Sequence, residues 1–182
     1  MLRYRKQIRL KKYDYSQSGY YHITICVQNR RCLFGNIFNG KMVLNDVGKM
    51  IDQLWINLQK RFNVKLDAYQ IMPNHIHGII IIVGAGFMPA PNNGATTRVG
   101  ATTRVAPTTN PTIGDIIGAF KSLTTHEYIN GVKKHQWLPF NKRLWQRNFY
   151  EHIIRNETEL SKTRQYIKFN PLFWNNDVNY IK

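Results

Sequence analysis

An α+β fold is predicted for this 182-residue sequence, with an antiparallel sheet, helices on one face and one more helix at the C-terminal end. Three observations predict it. Short aromatic and β-branched runs alternate with longer stretches of helical apolar spacing. The runs come in the order β-α-β-β-α-β, and a final amphipathic stretch follows them. A single low-complexity segment interrupts the pattern without changing that order. This is the ferredoxin-like (RRM-like) arrangement, and the length suits one domain over 1–182.

Tyr20 to Val27 (YYHITICV) is the first strand, by its β-branched and aromatic content. Gly35, Asn36, Asn39 and Gly40 mark a hairpin or loop, and Asn45 or Asp46 caps the helix that follows. Between Val47 and Phe62 the apolar residues Val47, Met50, Ile51, Leu54, Trp55, Leu58 and Phe62 keep helical spacing. Leu66 to Met72 is the second strand, Pro73-Asn74 a turn, and His75 to Val83 (HIHGIIIIV) a third strand buried on both faces.

The texture then changes. Residues 84–111 are rich in Gly, Pro, Asn and Thr, and GATTRV occurs twice, at Gly94–Val99 and Gly100–Val105. Two six-residue units cannot bury a core, so this is read as a flexible insertion. A second helix runs from Ile113 to about Tyr128, and a basic, aromatic stretch, Lys133 to Phe140, follows Gly131. Leu144 to Tyr150 is predicted as the fourth strand. Glu157 to Phe169 is predicted as the last helix, which Asn170-Pro171 ends.

Charge narrows the function. Twenty-six Lys and Arg against ten Asp and Glu give +16, the footprint of a protein that meets a polyanion, most often nucleic acid. Six of the first twelve residues are basic, so 1–19 reads as an arm that follows phosphates. No apolar run reaches eighteen residues, which predicts no membrane span. Two cysteines, Cys26 and Cys32, and no secretory signal predict a reducing cytoplasm.

Two groups of residues bear chemistry. His75 and His77 alternate with Ile76 on a strand, so both imidazoles project from one face, about 7 Å apart at their Cα atoms. They are either ordinary strand histidines or a pair able to converge on a divalent ion. A TIM-barrel H-x-H enzyme needs a longer chain, and no Cys-x-x-Cys accompanies the pair as in structural zinc sites. In the last helix Leu160, Thr163, Arg164 and Ile167 share a stripe, while Tyr166 lies off it with Asn170 one turn on. That pair is either a surface tyrosine and a helix-ending asparagine, or a hydroxyl and an amide offered together. Asp14, Asp46, Asp67 and Asp115 are scattered and none lies beside the H-x-H, which argues against a carboxylate-clustered two-metal enzyme.

Three motifs in order carry a resemblance. MPNHIHGI (Met72–Ile79), LWQRNFYEHIIRN (Leu144–Asn156) and QYIKFNP (Gln165–Pro171) resemble the IS200-type single-tyrosine HUH transposases, and within them the REP-associated tyrosine transposase branch. The similarity runs from about Arg3 to Trp174 outside the insertion.

The resemblance implies a metal-dependent nuclease and strand transferase that cleaves and rejoins hairpin-forming single-stranded DNA. His75 and His77 would hold one Mg²⁺ or Mn²⁺, with Asn170 as the third protein ligand, and Tyr166 would be the nucleophile. It implies a nucleoid-associated protein, monomeric or dimeric. Candidate DNA contacts are Arg3, Arg5, Lys6, Arg9, Lys11 and Lys12 in the arm, Lys121 on the second helix, and Arg143, Trp145 and Arg147 as charge with a stacking surface. Tyr150 is assigned to packing or stacking, and Glu151 and His152 to support of the site. The rivals are a non-catalytic nucleic-acid-binding module on the same fold and a Rep- or relaxase-like HUH nickase.

Overall fold

The computed structural model describes residues 13–83 and 111–180. Its elements are β1 (Gly19–Cys26), β2 (Gly35–Phe38), β3 (Lys41–Leu44), α1 (Asp46–Ile56), α2 (Leu58–Arg61), β4 (Val64–Ile71), β5 (His75–Ile82), α3 (Ile113–His135), β6 (Tyr150–Ile154) and α4 (Glu157–Phe169). A 3₁₀ segment, Asn170–Asn176, continues from α4.

Four strands form one antiparallel sheet in the order β4-β5-β1-β6. With α1 and α3 as the crossovers, this is the predicted ferredoxin-like arrangement. The hairpin β2-β3 stands apart from the sheet and turns at Asn39-Gly40. Both turn residues have positive φ, 48° and 70°, the conformation a tight hairpin turn requires.

Strand alternation gives the sheet two different faces. Tyr21, Ile23 and Ile25 of β1 and Ile76, Ile80 and Ile82 of β5 pack with Val47, Ile51 and Trp55 of α1 and with Ile116, Ile117 and Phe120 of α3. The alternate residues face the other way, where Ile79 and Ile154 meet Leu160 and Ile167 of α4. Covered on both sides, every residue of β5 is buried, as its continuous apolar run predicts. Burying each large apolar side chain contributes roughly 1.5–3 kcal/mol, and this sandwich of helix, sheet and helix holds the site rigidly. Gly78 in β5 leaves room for the Trp55 indole, since a Cβ there would lie 2.4 Å from it.

Three elements differ from expectation by more than two residues. The fourth strand is Tyr150–Ile154, not Leu144–Tyr150; only an isolated bridge, Val27 to Trp145, pairs in the earlier stretch. Leu144 and Trp145 are apolar because they plug the core, not because they lie in the sheet. Helix α3 passes through Gly131 to His135, because that glycine admits the ring of Trp137, 2.1 Å from where a Cβ would stand. The helix predicted over Val47–Phe62 is divided at Asn57 into α1 and α2.

Helix α4 is fastened to the sheet by charge as well as packing. Arg164 donates through Nε to Asp67 Oδ1 at 3.0 Å and through Nη2 to Asp67 Oδ2 at 2.6 Å. Asn156 caps its first turn, accepting from the Glu159 amide at 2.8 Å.

Candidate metal and nucleophile site

The turn at Pro73-Asn74 starts β5 at His75, and alternation then puts His75 and His77 on the α4 face of the sheet. Their Nε2 atoms lie 2.9 Å apart. Each ring is held from behind: His75 Nδ1 donates to Asn74 Oδ1 at 2.8 Å, and His77 Nδ1 meets Thr24 Oγ1 at 2.9 Å. The first contact fixes the His75 tautomer and leaves its Nε2 with a lone pair.

Tyr166 enters from α4. Leu160 and Ile167 are buried under the helix, while Tyr166 stays 47% exposed at its edge, as its position off the apolar stripe predicts. Its hydroxyl lies 3.4 Å from His77 Nε2 and its ring stands on edge to the His77 ring at 5.2 Å.

The carboxylate of Asp177 completes the cluster. Its Oδ2 lies 3.8 Å from His75 Nε2 and 4.0 Å from His77 Nε2, and one donor atom from each of the three residues falls within 4.8 Å of the others. Asn170, which caps the C-terminal end of α4, donates from Nδ2 to Asp177 Oδ2 at 3.3 Å. Its Oδ1 is buried and has no hydrogen-bond partner. The tail that carries Asp177 is tied down: Asn74 Nδ2 donates to the Asn179 carbonyl at 2.8 Å, and the Asn179 amide donates to Asp177 Oδ1 at 2.6 Å.

Burial, aided by the neighbouring His77, pushes His75 down to about 3, so it is neutral at pH 7 with its lone pair available. Burial also works to raise Asp177. The surrounding hydrogen bonds and the His75 imidazole outweigh it, holding the carboxyl well below the usual range and therefore ionised. Burial and the Asp177 charge raise Tyr166, while a hydrogen bond with Asn170 lowers it; the net is upward, and the phenol keeps its proton at neutral pH.

These residues fit a divalent cation. His75 Nε2 offers a lone pair, and at 2.9 Å from His77 Nε2 either a proton or a cation lies between the two nitrogens. The Asp177 carboxylate stands beside them, and Asn170, whose Oδ1 is buried without a partner, donates to that carboxylate. Two imidazoles and a carboxylate make a donor set for one divalent cation.

Comparison with known proteins decides the lineage. The family model for IS200-like transposases matches residues 15–84, the segment from β1 through the H-x-H strand. The chain belongs to the IS200-like transposase family. An uncharacterized protein of Haemophilus influenzae is 39% identical over 186 residues, covering 99% of this transposase and 95% of the relative. Among solved structures, the REP-associated tyrosine transposase bound to a REP hairpin superposes with a TM-score of 0.54. It is 20% identical and covers 90% of this chain and 73% of that one, and it shares the fold.

Of the residues singled out in sequence, the IS200-like fold brings His75, His77, Tyr166 and Asn170 together. Asp14, Asp46, Asp67 and Asp115 are not part of the cluster, and Asp177, which lies beside the H-x-H, is not among the carboxylates singled out in sequence. No spacing rule announces it; the only signal is that it is the sole acidic residue after Glu159. Trp145 is not a stacking surface: it is 4% exposed, lies against Phe34 and Phe120, and donates from Nε1 to Thr124 Oγ1 at 2.8 Å. Lys121 is not a free phosphate contact either. Its Nζ is half-buried and donates to the carbonyls of Gln146 at 2.8 Å and Asn148 at 3.1 Å, bracing the loop before β6. Burial pulls its ammonium down to about 8.

Arg143 and Arg147 are exposed. Tyr150 is 46% exposed and stands on edge to His22 at 6.0 Å. His152 pairs with Glu159 at the start of α4. Arg3, Arg5, Lys6, Arg9, Lys11 and Lys12 lie outside the described residues, as does the insertion apart from Pro111. Among the described residues, no helix is long and apolar enough to cross a membrane.

Proposed function

We propose that this transposase cleaves and rejoins hairpin-forming single-stranded DNA through a covalent 5′-phosphotyrosine at Tyr166. The observation that carries this reading is the Tyr166 hydroxyl at 3.4 Å from His77 Nε2, at the edge of a three-residue metal-ligand cluster. Family membership, the +16 charge and the fold shared with a hairpin-bound transposase support it.

His75, His77 and Asp177 would hold the ion, with Asn170 offering its amide oxygen. Bound there, Mg²⁺ or Mn²⁺ would polarise the scissile phosphate and offset the charge that develops on it. The Tyr166 oxygen attacks phosphorus and loses its proton; the bond from phosphorus to the 3′ oxygen breaks, and that oxygen leaves as a hydroxyl after taking up a proton. In the reverse direction a 3′ hydroxyl attacks the phosphotyrosine and Tyr166 leaves. The bond energy stays in the ester, so no nucleotide cofactor is consumed. Exposed Arg143 and Arg147, and the basic arm, supply phosphate contacts, and the DNA substrate implies a nucleoid-associated place in the cytoplasm.

The test is a labelled DNA hairpin with single-stranded flanks, incubated with the protein and Mn²⁺ and run under denaturing conditions. A stable protein–DNA adduct is expected, absent from Tyr166→Phe and from the His75→Ala, His77→Ala double variant. An adduct that survives Tyr166→Phe unchanged sinks the proposal.

A further inference from the structure

A cavity of about 470 Å³ opens beside Tyr166, between the sheet face, the loop before β6 and the C-terminal tail. Apart from the metal-site residue His77, its lining is uncharged: among the described residues no Lys, Arg, Asp or Glu contributes to it. Phe149, Tyr150 and Tyr166 give it aromatic walls, and Gln146 and Asn148 bring side-chain amides to it. At its floor, His22 is 9% exposed, and its Nε2 is buried without a hydrogen-bond partner. A nitrogen left this way incurs a desolvation penalty that a ligand's polar edge would relieve.

An uncharged, aromatic-walled cavity with a few convergent polar groups suits a flat, uncharged ring bearing hydrogen-bonding edges. In a chain of +16 charge, the ring that arrives attached to a polyanion is a nucleobase. The volume holds one base with its sugar at the mouth. Tyr166 lines the same cavity, so a phosphate within reach of its hydroxyl has a neighbouring base within reach of the interior.

We propose that this cavity receives one unstacked nucleobase, that of the nucleotide adjoining the phosphate attacked by Tyr166, with His22, Gln146 and Asn148 reading its polar edge. The adjacency rests on the reading of Tyr166 given above. Taking a single base out of the stack would set the strand's position along the site, so that the register of cleavage is chosen by the protein.

The experiment uses the Tyr166→Phe protein, which leaves DNA uncleaved, and a DNA hairpin whose single-stranded flank nucleotides are replaced one at a time by an abasic residue. Affinity is expected to fall about tenfold at one flank position and by less than about twofold elsewhere. Adding Asn148→Trp, at the exposed rim, fills the mouth: intact DNA should then bind about tenfold more weakly, and the abasic replacement should cost nothing further. Thermal unfolding of the Asn148→Trp protein confirms that it is folded. Equal affinity at all abasic positions overturns the proposal, and so does a position effect that persists with the mouth filled. Adduct mapping on the unmodified protein separates the two readings. An adduct at a phosphate away from the sensitive nucleotide removes the adjacency. Loss of one position's affinity with no adduct on any hairpin removes the covalent chemistry and leaves the base pocket standing.

Discussion

The side chain of Asn74 joins His75 to the C-terminal tail: its Oδ1 accepts from His75 Nδ1 at 2.8 Å while its Nδ2 donates to the Asn179 carbonyl at 2.8 Å. One amide thus orients an imidazole and docks the segment that delivers Asp177. Asn74→Ala should remove both effects. Mn²⁺ affinity, measured by titration calorimetry, is expected to fall about 10- to 100-fold, the usual cost of losing a partner behind a metal-binding histidine. An unchanged affinity would show that neither ring nor tail depends on it.

On the proposed reading, Asp177 and Asn170 each give the ion an oxygen beside the histidine pair. Asp177→Ala and Asn170→Ala should each weaken Mn²⁺ binding by more than about tenfold without lowering the unfolding temperature of the metal-free protein below that of Tyr166→Phe by more than a few degrees. If Asp177→Ala binds Mn²⁺ as tightly as the parent, the carboxylate is a neighbour of the site and not a ligand.

The pair Arg164–Asp67 links α4 to β4, and its contribution depends on pH. Burial works to raise Asp67, but hydrogen bonds from Arg164 and the Ala68 amide prevail and lower it below its ordinary value. A depressed carboxyl stabilises the fold above its unfolded pKa, and that stability is lost as pH falls through the folded value. Asp67→Asn should therefore lower stability by about 1–2 kcal/mol at pH 7, a modest figure because Arg164 is partly exposed and screened. The gap from the parent should narrow as the pH falls from 7 to below the carboxylate's ordinary titration. Urea midpoints at the two pH values measure it, and a gap that stays constant would contradict the assignment.

Trp145→Phe tests the placement of that indole. It removes the hydrogen bond to Thr124 Oγ1 and some core volume, so stability should drop by about 1–3 kcal/mol. Affinity for single-stranded DNA should stay unchanged in a fluorescence anisotropy titration, because the ring is buried in the core. A selective loss of DNA affinity with stability intact would return Trp145 to the binding surface.

Much of this molecule is legible locally. Strand period alone puts His75 and His77 on one face of β5, and helical period alone sets Tyr166 off the stripe of Leu160 and Ile167. Asn45 caps α1 and Asn39-Gly40 turns a hairpin because those residues satisfy backbone demands within a few positions. Such features follow from periodicity and short-range hydrogen bonding, which the order of residues carries directly.

Other features exist only once distant segments meet. The fourth strand begins at Tyr150 because β1 offers a free edge to Tyr150–Ile154; the apolar content of Leu144 and Trp145 answers to the core instead. Gly131 sits within a helix because Trp137 folds back onto it. Asp177, a hundred residues beyond His77 in the chain, reaches the histidines only through the 3₁₀ turn after Pro171 and the grip of Asn74 on Asn179. Periodicity assigns faces to His75, His77 and Tyr166; it says nothing of which faces are brought together. Packing of α4 across the sheet decides that, and with it the carboxylate beside the histidines and the cavity beside Tyr166.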